Sequence, residues 1–246
     1  MSRLVIFLDL DDTILQTAPK SPPDQPLHPA AVDRAGMALS FMTGGQRQLL
    51  DCWRAQGTVI PVTGRTDDAL ARVLIDFSSW RITHHGAVIR QPDGQLPSWW
   101  HEHIAPRLQA AQPILRELAA WLERDAATGG YRVHRHSVEQ QLTYLSVKSD
   151  EDAGALIHLR RRLVVNGLPA ELVLHHNGNN LALTVSGAQK QDAVRRVMAA
   201  LAQEGPLITI GAGDSLTDLP FLRLCDFALV PKDSQIQQET WASHYP

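Results

Sequence analysis

The apolar run Leu4-Val5-Ile6-Phe7-Leu8 ends directly in Asp9-Leu10-Asp11-Asp12-Thr13, and this junction constrains the chain more than any other segment. A buried strand that ends in carboxylates puts acid groups at the mouth of an α/β sheet, where open sheets bind their ligands. Strand alternation points Asp9 and Asp11 the same way. Like charges that close repel, so the site needs a cation or a shifted pKa. A hard divalent ion such as Mg2+, which prefers oxygen ligands, is the natural partner. Taken alone, the same residues also suit an acidic turn after an edge strand.

Three later segments count against that plain turn. Val59-Ile60-Pro61-Val62 ends in Thr63-Gly64-Arg65. Lys190 starts the amphipathic stretch from Gln189 to Leu201. Leu207-Ile208-Thr209-Ile210 runs into Gly211-Ala212-Gly213-Asp214-Ser215-Leu216-Thr217-Asp218. Each motif is weak by itself; four in this order, three of them at strand ends, are a joint signal.

The alternation of elements supports the same architecture. Arg3 to Asp9 and Thr58 to Val62 read as strands, and Gly45 to Ala55 as a helix that Thr43 can cap. Thr66 can cap a second helix over Asp67 to Phe77, whose first-turn carboxylates suit the helix dipole. Pro19 to Pro29 holds five prolines and is expected to be an extended loop without regular pairing. Strand and helix in alternation imply a parallel sheet. The middle of the chain differs. Ile104, Leu108, Ala111, Leu115, Leu118 and Leu122 recur at helical spacing. Tyr131 to His136 and Gln141 to Val147 read as a hairpin, and Asp152 to Val164 as a helix. Glu171 to His175 and Leu181 to Val185 form a second strand pair around the turn Asn177-Gly178-Asn179. The expected fold class is therefore α/β: a Rossmann-like parallel-sheet core over residues 1–88 and 187–246, with an inserted α+β domain over 89–186.

Composition excludes several classes. With 246 residues and 44% apolar content, the chain suits one large domain or two smaller ones. A net charge of −3 and a pI near 6.4 create no basic field for nucleic acid. No run approaches transmembrane length, and the N-terminal run is too short for a signal peptide. Cys52 and Cys225 are expected as free thiols, which favours a cytoplasmic protein. The histidines lack zinc-site spacing and neighbouring cysteines. Trp99-Trp100 suits either a sugar-stacking platform or, preferably, the apolar edge of the insert.

The four motifs in their order resemble the haloacid dehalogenase superfamily of phosphatases. An insertion between the Thr-Gly-Arg and Lys motifs is similar to the type IIB cap of the Cof-like and sucrose-phosphatase-like sugar phosphatases. That resemblance makes Asp9 the nucleophile and Asp11 the general acid/base, with the Asp11 backbone carbonyl as a metal ligand. It makes Thr63 and Gly64 phosphate-binding, Lys190 the balancing cation, and Asp9, Asp11 and Asp214 the Mg2+ site. Asp218 either approaches the same site or holds Lys190. Thr13 either supports the nucleophile loop or is a plain turn residue. The group usually has Asn at the positions of His85 and Thr217, so an altered surrounding of the site is expected there. Arg65 is either a phosphate or sugar contact or an exposed arginine. Arg132, Arg135, His176 and Asn177 in the cap are candidate substrate contacts. The implied activity is Mg2+-dependent hydrolysis of a small phosphorylated metabolite, a sugar phosphate, through an aspartyl phosphate. A phosphomannomutase-like phosphotransferase would use the same motifs. A non-catalytic binding protein on the same scaffold is opposed by the intact Asp9, Asp11, Lys190 and Asp214.

Overall fold

The computed structural model describes residues 2–149 and 153–241. The chain divides into two compact units, Met1–Pro97 with Lys190–Pro246, and Ser98–Gln189. Among the described residues no helix is long and apolar enough to cross a membrane.

The first unit is built on a parallel sheet. Its early elements are β1 (Arg3–Leu8), β2 (Leu27–Val32), β3 (Ala38–Thr43), α1 (Gly44–Gln56), β4 (Thr58–Pro61), α2 (Asp67–Leu70), β5 (Arg81–Thr83) and β6 (Val88–Arg90). The second unit contributes α3 (Ser98–Gly129), β7 (Arg132–Val138), β8 (Gln141–Lys148), α4 (Ala153–Val165), β9 (Leu172–Asn177) and β10 (Asn180–Val185). The chain then returns to the first unit through α5 (Lys190–Ala202), β11 (Leu207–Ala212), α6 (Leu219–Leu222) and β12 (Phe227–Leu229). The central sheet has the order β12-β11-β1-β4, all parallel. From β1 the chain moves to one side to reach β4 and later to the other side to reach β11. The carboxyl end of β1 is therefore a topological switch point, where open sheets form their ligand crevice. Val5 to Leu8 are buried as expected of the middle of a covered sheet. Ile6 and Leu8 pack with Leu10, Ile14, Leu50, Trp53, Val59 and Ala212 in one cluster.

Local chemistry explains most boundaries. Thr43 and Gln46 form a reciprocal capping box at the start of α1. The buried residues of α5 after Lys190, namely Ala193, Val194, Val197 and Leu201, lie on one helical face.

Two expectations are corrected. The proline-rich segment does not stay unpaired, because its end forms β2 against β3 with a register shift after Pro29. Pro29 is exposed and lies in a two-stranded sheet, where a missing N–H costs little. Ala30 and Ala31 after it are fully buried, which rewards the pairing. The helix expected over Asp67 to Phe77 stops at Leu70. Its would-be continuation pairs with β2 instead: Val32 N donates to Arg72 O at 3.0 Å and Leu74 N to Ala30 O at 2.7 Å.

In the second unit the four strands have the order β7-β8-β10-β9, all antiparallel. Helix α3 buries Trp100, Ile104, Leu108, Ala111, Leu115, Ala119 and Leu122; Leu118 is only half-buried, and Ala119 takes its place. Trp100 is fully buried and stacks on His103 at 5.0 Å, so it is core rather than platform. Gln112 ties α3 to β8 by two bonds with the Leu142 backbone, at 2.9 and 3.0 Å. Asp152, the expected start of the next helix, lies outside the described residues. Strand β6 pairs with β5 within the first unit, whose first piece runs to Pro97.

Candidate active site

Three strand ends converge at the switch point. Asp9 follows β1, Thr63 follows β4 by two residues, and Asp214 follows β11 by two. Asp9 and Asp214 are each 5% exposed, Thr63 and Asp218 are fully buried, and Lys190 is 6% exposed. Ligand-type oxygens of Asp9, Asp214 and Asp218 lie within 4.8 Å of one another. The Lys190 ammonium bridges two of them, donating to Asp9 Oδ1 at 2.6 Å and to Asp218 Oδ1 at 2.7 Å. Thr13 Oγ1 lies 3.3 Å from both Asp9 Oδ2 and Asp214 Oδ1, so it ties the first strand end to the last.

Asp218 is held from its other side. Its Oδ2 accepts from Ser215 N at 3.0 Å and from Ser215 Oγ at 2.8 Å, and Ser215 Oγ lies 2.7 Å from Thr217 Oγ1. Asp218 therefore positions Lys190, and Thr217 belongs to the hydroxyl group behind it. Gly213 is needed for this approach, since a side chain there would begin 2.6 Å from Asp218 Cβ.

Three carboxylates sharing one ammonium are undercompensated. Burial, with the neighbouring Asp218 and Asp214, holds the Asp9 carboxyl well above its ordinary value despite Lys190. Burial and then Asp218 push Asp214 up to about 7. Burial works against the Lys190 charge, but Asp218 and Asp9 outweigh it and its pKa is raised. The pocket thus attracts positive charge, and its all-oxygen donor set fits a hard divalent cation.

Asp11 does not join this cluster. Strand β1 ends at Leu8, and the backbone turns so that Ile14 and Leu15 both donate to Leu10 O, with Asp12 at a φ of 61°. Strand alternation no longer applies, and the expectation that both side chains point together is corrected. The Asp11 carboxylate instead takes both prongs of Arg65, from Nε at 2.8 Å and Nη2 at 2.6 Å. Asp12 pairs with Lys20.

The Thr63–Arg65 loop is braced by the loop after β5. Thr63 N donates to Ile82 O at 2.9 Å, His84 N to Arg65 O at 2.8 Å and His85 N to Thr63 O at 3.1 Å. Thr63 Oγ1 accepts from Arg65 N at 3.1 Å, so the hydroxyl keeps its own proton for another acceptor. Burial pushes the His84 imidazole down to about 4; the neutral ring lies 3.4 Å from the Asp67 N–H.

The candidate residues of the insert are spread over its sheet. Arg132 pairs in register with Lys148, and Asn177 with Asn180 at the hairpin turn. Arg135 makes a bidentate pair with Glu123 at 2.7 and 2.6 Å. His176 lies opposite Leu181, and its buried Nε2 has no hydrogen-bond partner among the described residues. Strand alternation puts Arg132 and Asn177 on one face and Arg135 and His176 on the other. The brace on the Thr63–Arg65 loop by His84 and His85, the Arg65–Asp11 pair and the role of Ser215 are not legible in the sequence motifs. Only Ser215 had a local signal, a hydroxyl spaced to reach back from Asp218.

No protein-family model matches the chain, and no curated protein matches its sequence. Solved structures do match. A haloacid dehalogenase-like hydrolase from B. subtilis is 16% identical with a TM-score of 0.61, covering 93% of this chain and 88% of that one. The sucrose-phosphatase from Synechocystis, in complex with sucrose and phosphate, is 16% identical with a TM-score of 0.59, covering 100% and 89%. The C-terminal domain of C. albicans trehalose-6-phosphate phosphatase is 14% identical with a TM-score of 0.59, covering 90% and 73%. The chain has the fold of the haloacid dehalogenase-like hydrolases: a parallel-sheet core with a separate antiparallel sheet in the second unit.

Proposed function

We propose that this chain is a Mg2+-dependent phosphatase of the haloacid dehalogenase type, acting on a small sugar phosphate. The observation that carries the reading is the buried Asp9 carboxylate bridged by Lys190 to Asp218 at the switch point, beside Asp214 and level with Thr63. The likeness to sucrose- and trehalose-6-phosphate phosphatases supports the substrate class.

In this reading an Asp9 carboxylate oxygen attacks phosphorus, and the bond from phosphorus to the sugar oxygen breaks. Asp11 gives its proton to the departing alkoxide. Water then attacks the aspartyl phosphate, Asp11 takes the proton, the phosphorus–Asp9 bond breaks and inorganic phosphate leaves. To serve in both steps Asp11 exchanges its fork with Arg65 for the reacting oxygen. Thr63 Oγ1 and the Gly64 N–H hold phosphoryl oxygens, and Lys190 balances their charge. Asp9, Asp214 and the Asp11 backbone carbonyl would hold Mg2+, which when bound neutralises phosphoryl charge and aligns attack. The two free thiols, Cys52 and Cys225, suit a cytoplasmic setting. As the substrate contacts of the cap we keep Arg132, Arg135, His176 and Asn177.

The test is release of inorganic phosphate from a panel of phosphorylated sugars with Mg2+, by the wild type and Asp9→Asn. Turnover by the wild type and none by a folded Asp9→Asn is expected. Turnover retained in Asp9→Asn would refute the nucleophile, and transfer to an acceptor without release would mark a phosphotransferase.

A further inference from the structure

The turn between β5 and β6 carries backbone strain that its sequence does not require. His84, His85 and Gly86 follow one another at φ values of 52°, 59° and 114°. Two successive non-glycine residues in the left-handed region are uncommon, and such strain concentrates where a site needs it. Glycine or asparagine would take this backbone more readily.

The kink places one ring. A side chain on Gly64 would begin 2.5 Å from His85 Cε1, 2.6 Å from Nε2 and 3.0 Å from Nδ1. Gly64 is not in the left-handed region, so backbone freedom does not explain its glycine. The His85 ring occupies the space where a Cβ would stand. The same turn donates His85 N to Thr63 O and His84 N to Arg65 O, on either side of Gly64. It also packs against α5, the helix that Lys190 begins. The loop that would receive the phosphate is therefore pinned at both carbonyls and covered on the intervening residue.

We infer that His85 is a positioning residue: its ring, clamped on Gly64 by the left-handed turn, fixes the Thr63–Gly64 peptide as a phosphate-binding donor pair. The inference rests on the proposed phosphatase reading. His85 acts through Gly64, whose peptide loses its orientation when the ring is absent. Displacements of this kind cost about 10²-fold in rate.

The experiment is a double-mutant cycle between positions 64 and 85, read by kcat/KM for a phosphate ester, inhibition by orthovanadate and thermal midpoint. His85→Gly is expected to lower kcat/KM and vanadate affinity by about 10-fold or more while the midpoint holds or rises, since glycine relieves the left-handed backbone. His85→Asn, which tolerates the same backbone and keeps a planar group, is expected to fall between. Gly64→Ala alone collides with the ring and is expected to be severely impaired. In the His85→Gly background the methyl group added by Gly64→Ala enters the vacated space, and its cost falls to about twofold or less, a non-additivity that marks direct contact. Equal cost of Gly64→Ala in both backgrounds, or His85→Gly within about twofold of wild type, overturns the inference alone. An activity loss that only tracks a lowered midpoint also overturns it, by making His85 merely structural. A wild type that neither hydrolyses phosphate esters nor binds vanadate overturns the functional reading and this inference with it.

Discussion

Replacing Lys190 by Met removes the cation that bridges the buried Asp9 and Asp218 and leaves the side chain's shape nearly unchanged. The ammonium is held 2.6 Å from Asp9 and 2.7 Å from Asp218, whose side chains are 7% and 0% exposed. Removing one partner of such a buried pair costs about 3–5 kcal/mol, because the remaining charge stays desolvated. Protonation of a stranded carboxylate limits that cost. From an ordinary value of 3.8, neutralising one carboxylate costs about 5 kcal/mol near pH 7.5 and about 2 kcal/mol near pH 5, at 1.36 kcal/mol per unit. Asp9 already binds its proton more tightly than an unfolded carboxylate, and loss of the Lys190 charge strengthens that, so the variant's stability falls more steeply than the wild type's as pH rises above about 4. The expected loss is therefore about 3–5 kcal/mol near pH 7.5 and about 2 kcal/mol near pH 5. Urea denaturation of both proteins at the two pH values, without divalent cations, measures it. A loss below about 1 kcal/mol, or one equal at both pH values, would refute the account of Lys190 as the charge that compensates Asp9 and Asp218.

Asp214→Asn should lose activity and its response to Mg2+. The folded Asp214 pKa is raised to about 7, so wild-type stability drains away between about pH 4 and 7, and the variant should gain relative to wild type across that window in thermal melts. Arg65→Ala frees the Asp11 carboxylate from its fork; kcat and KM should both change while the fold survives, and unchanged kinetics would separate the pair from catalysis. Thr43→Ala breaks the capping box of α1 and should cost about 1 kcal/mol with kcat untouched, checked by denaturation beside a phosphate-release assay.

Much of this site is readable in one dimension. Periodicity marks β1, β4 and β11 because each is a short apolar run that stops at chemistry-bearing residues, and a parallel sheet aligns the ends of its strands. Asp9, Thr63 and Asp214 could thus be placed together without coordinates, and Lys190 stood out as a cation in a helix's first turn, against the dipole. The capping box of Thr43 and Gln46, and the turn at Gly178, are equally local and equally readable. What the chain alone could not decide depends on partners far away in sequence. Arg72 and Leu74 leave the expected helix because Val32 and Ala30 take their hydrogen bonds. Pro29 belongs to a strand because the two alanines after it are buried. Asp11 turns to Arg65, 54 residues away, where strand periodicity would have aimed it at Asp9, because the strand has already ended at Leu8. Gly64 and His85 meet only when β5 lies beside β4. Local periodicity encodes which face is buried; which neighbour fills a given space is settled by long-range packing, and at this site that packing set the partners of Asp11 and Gly64.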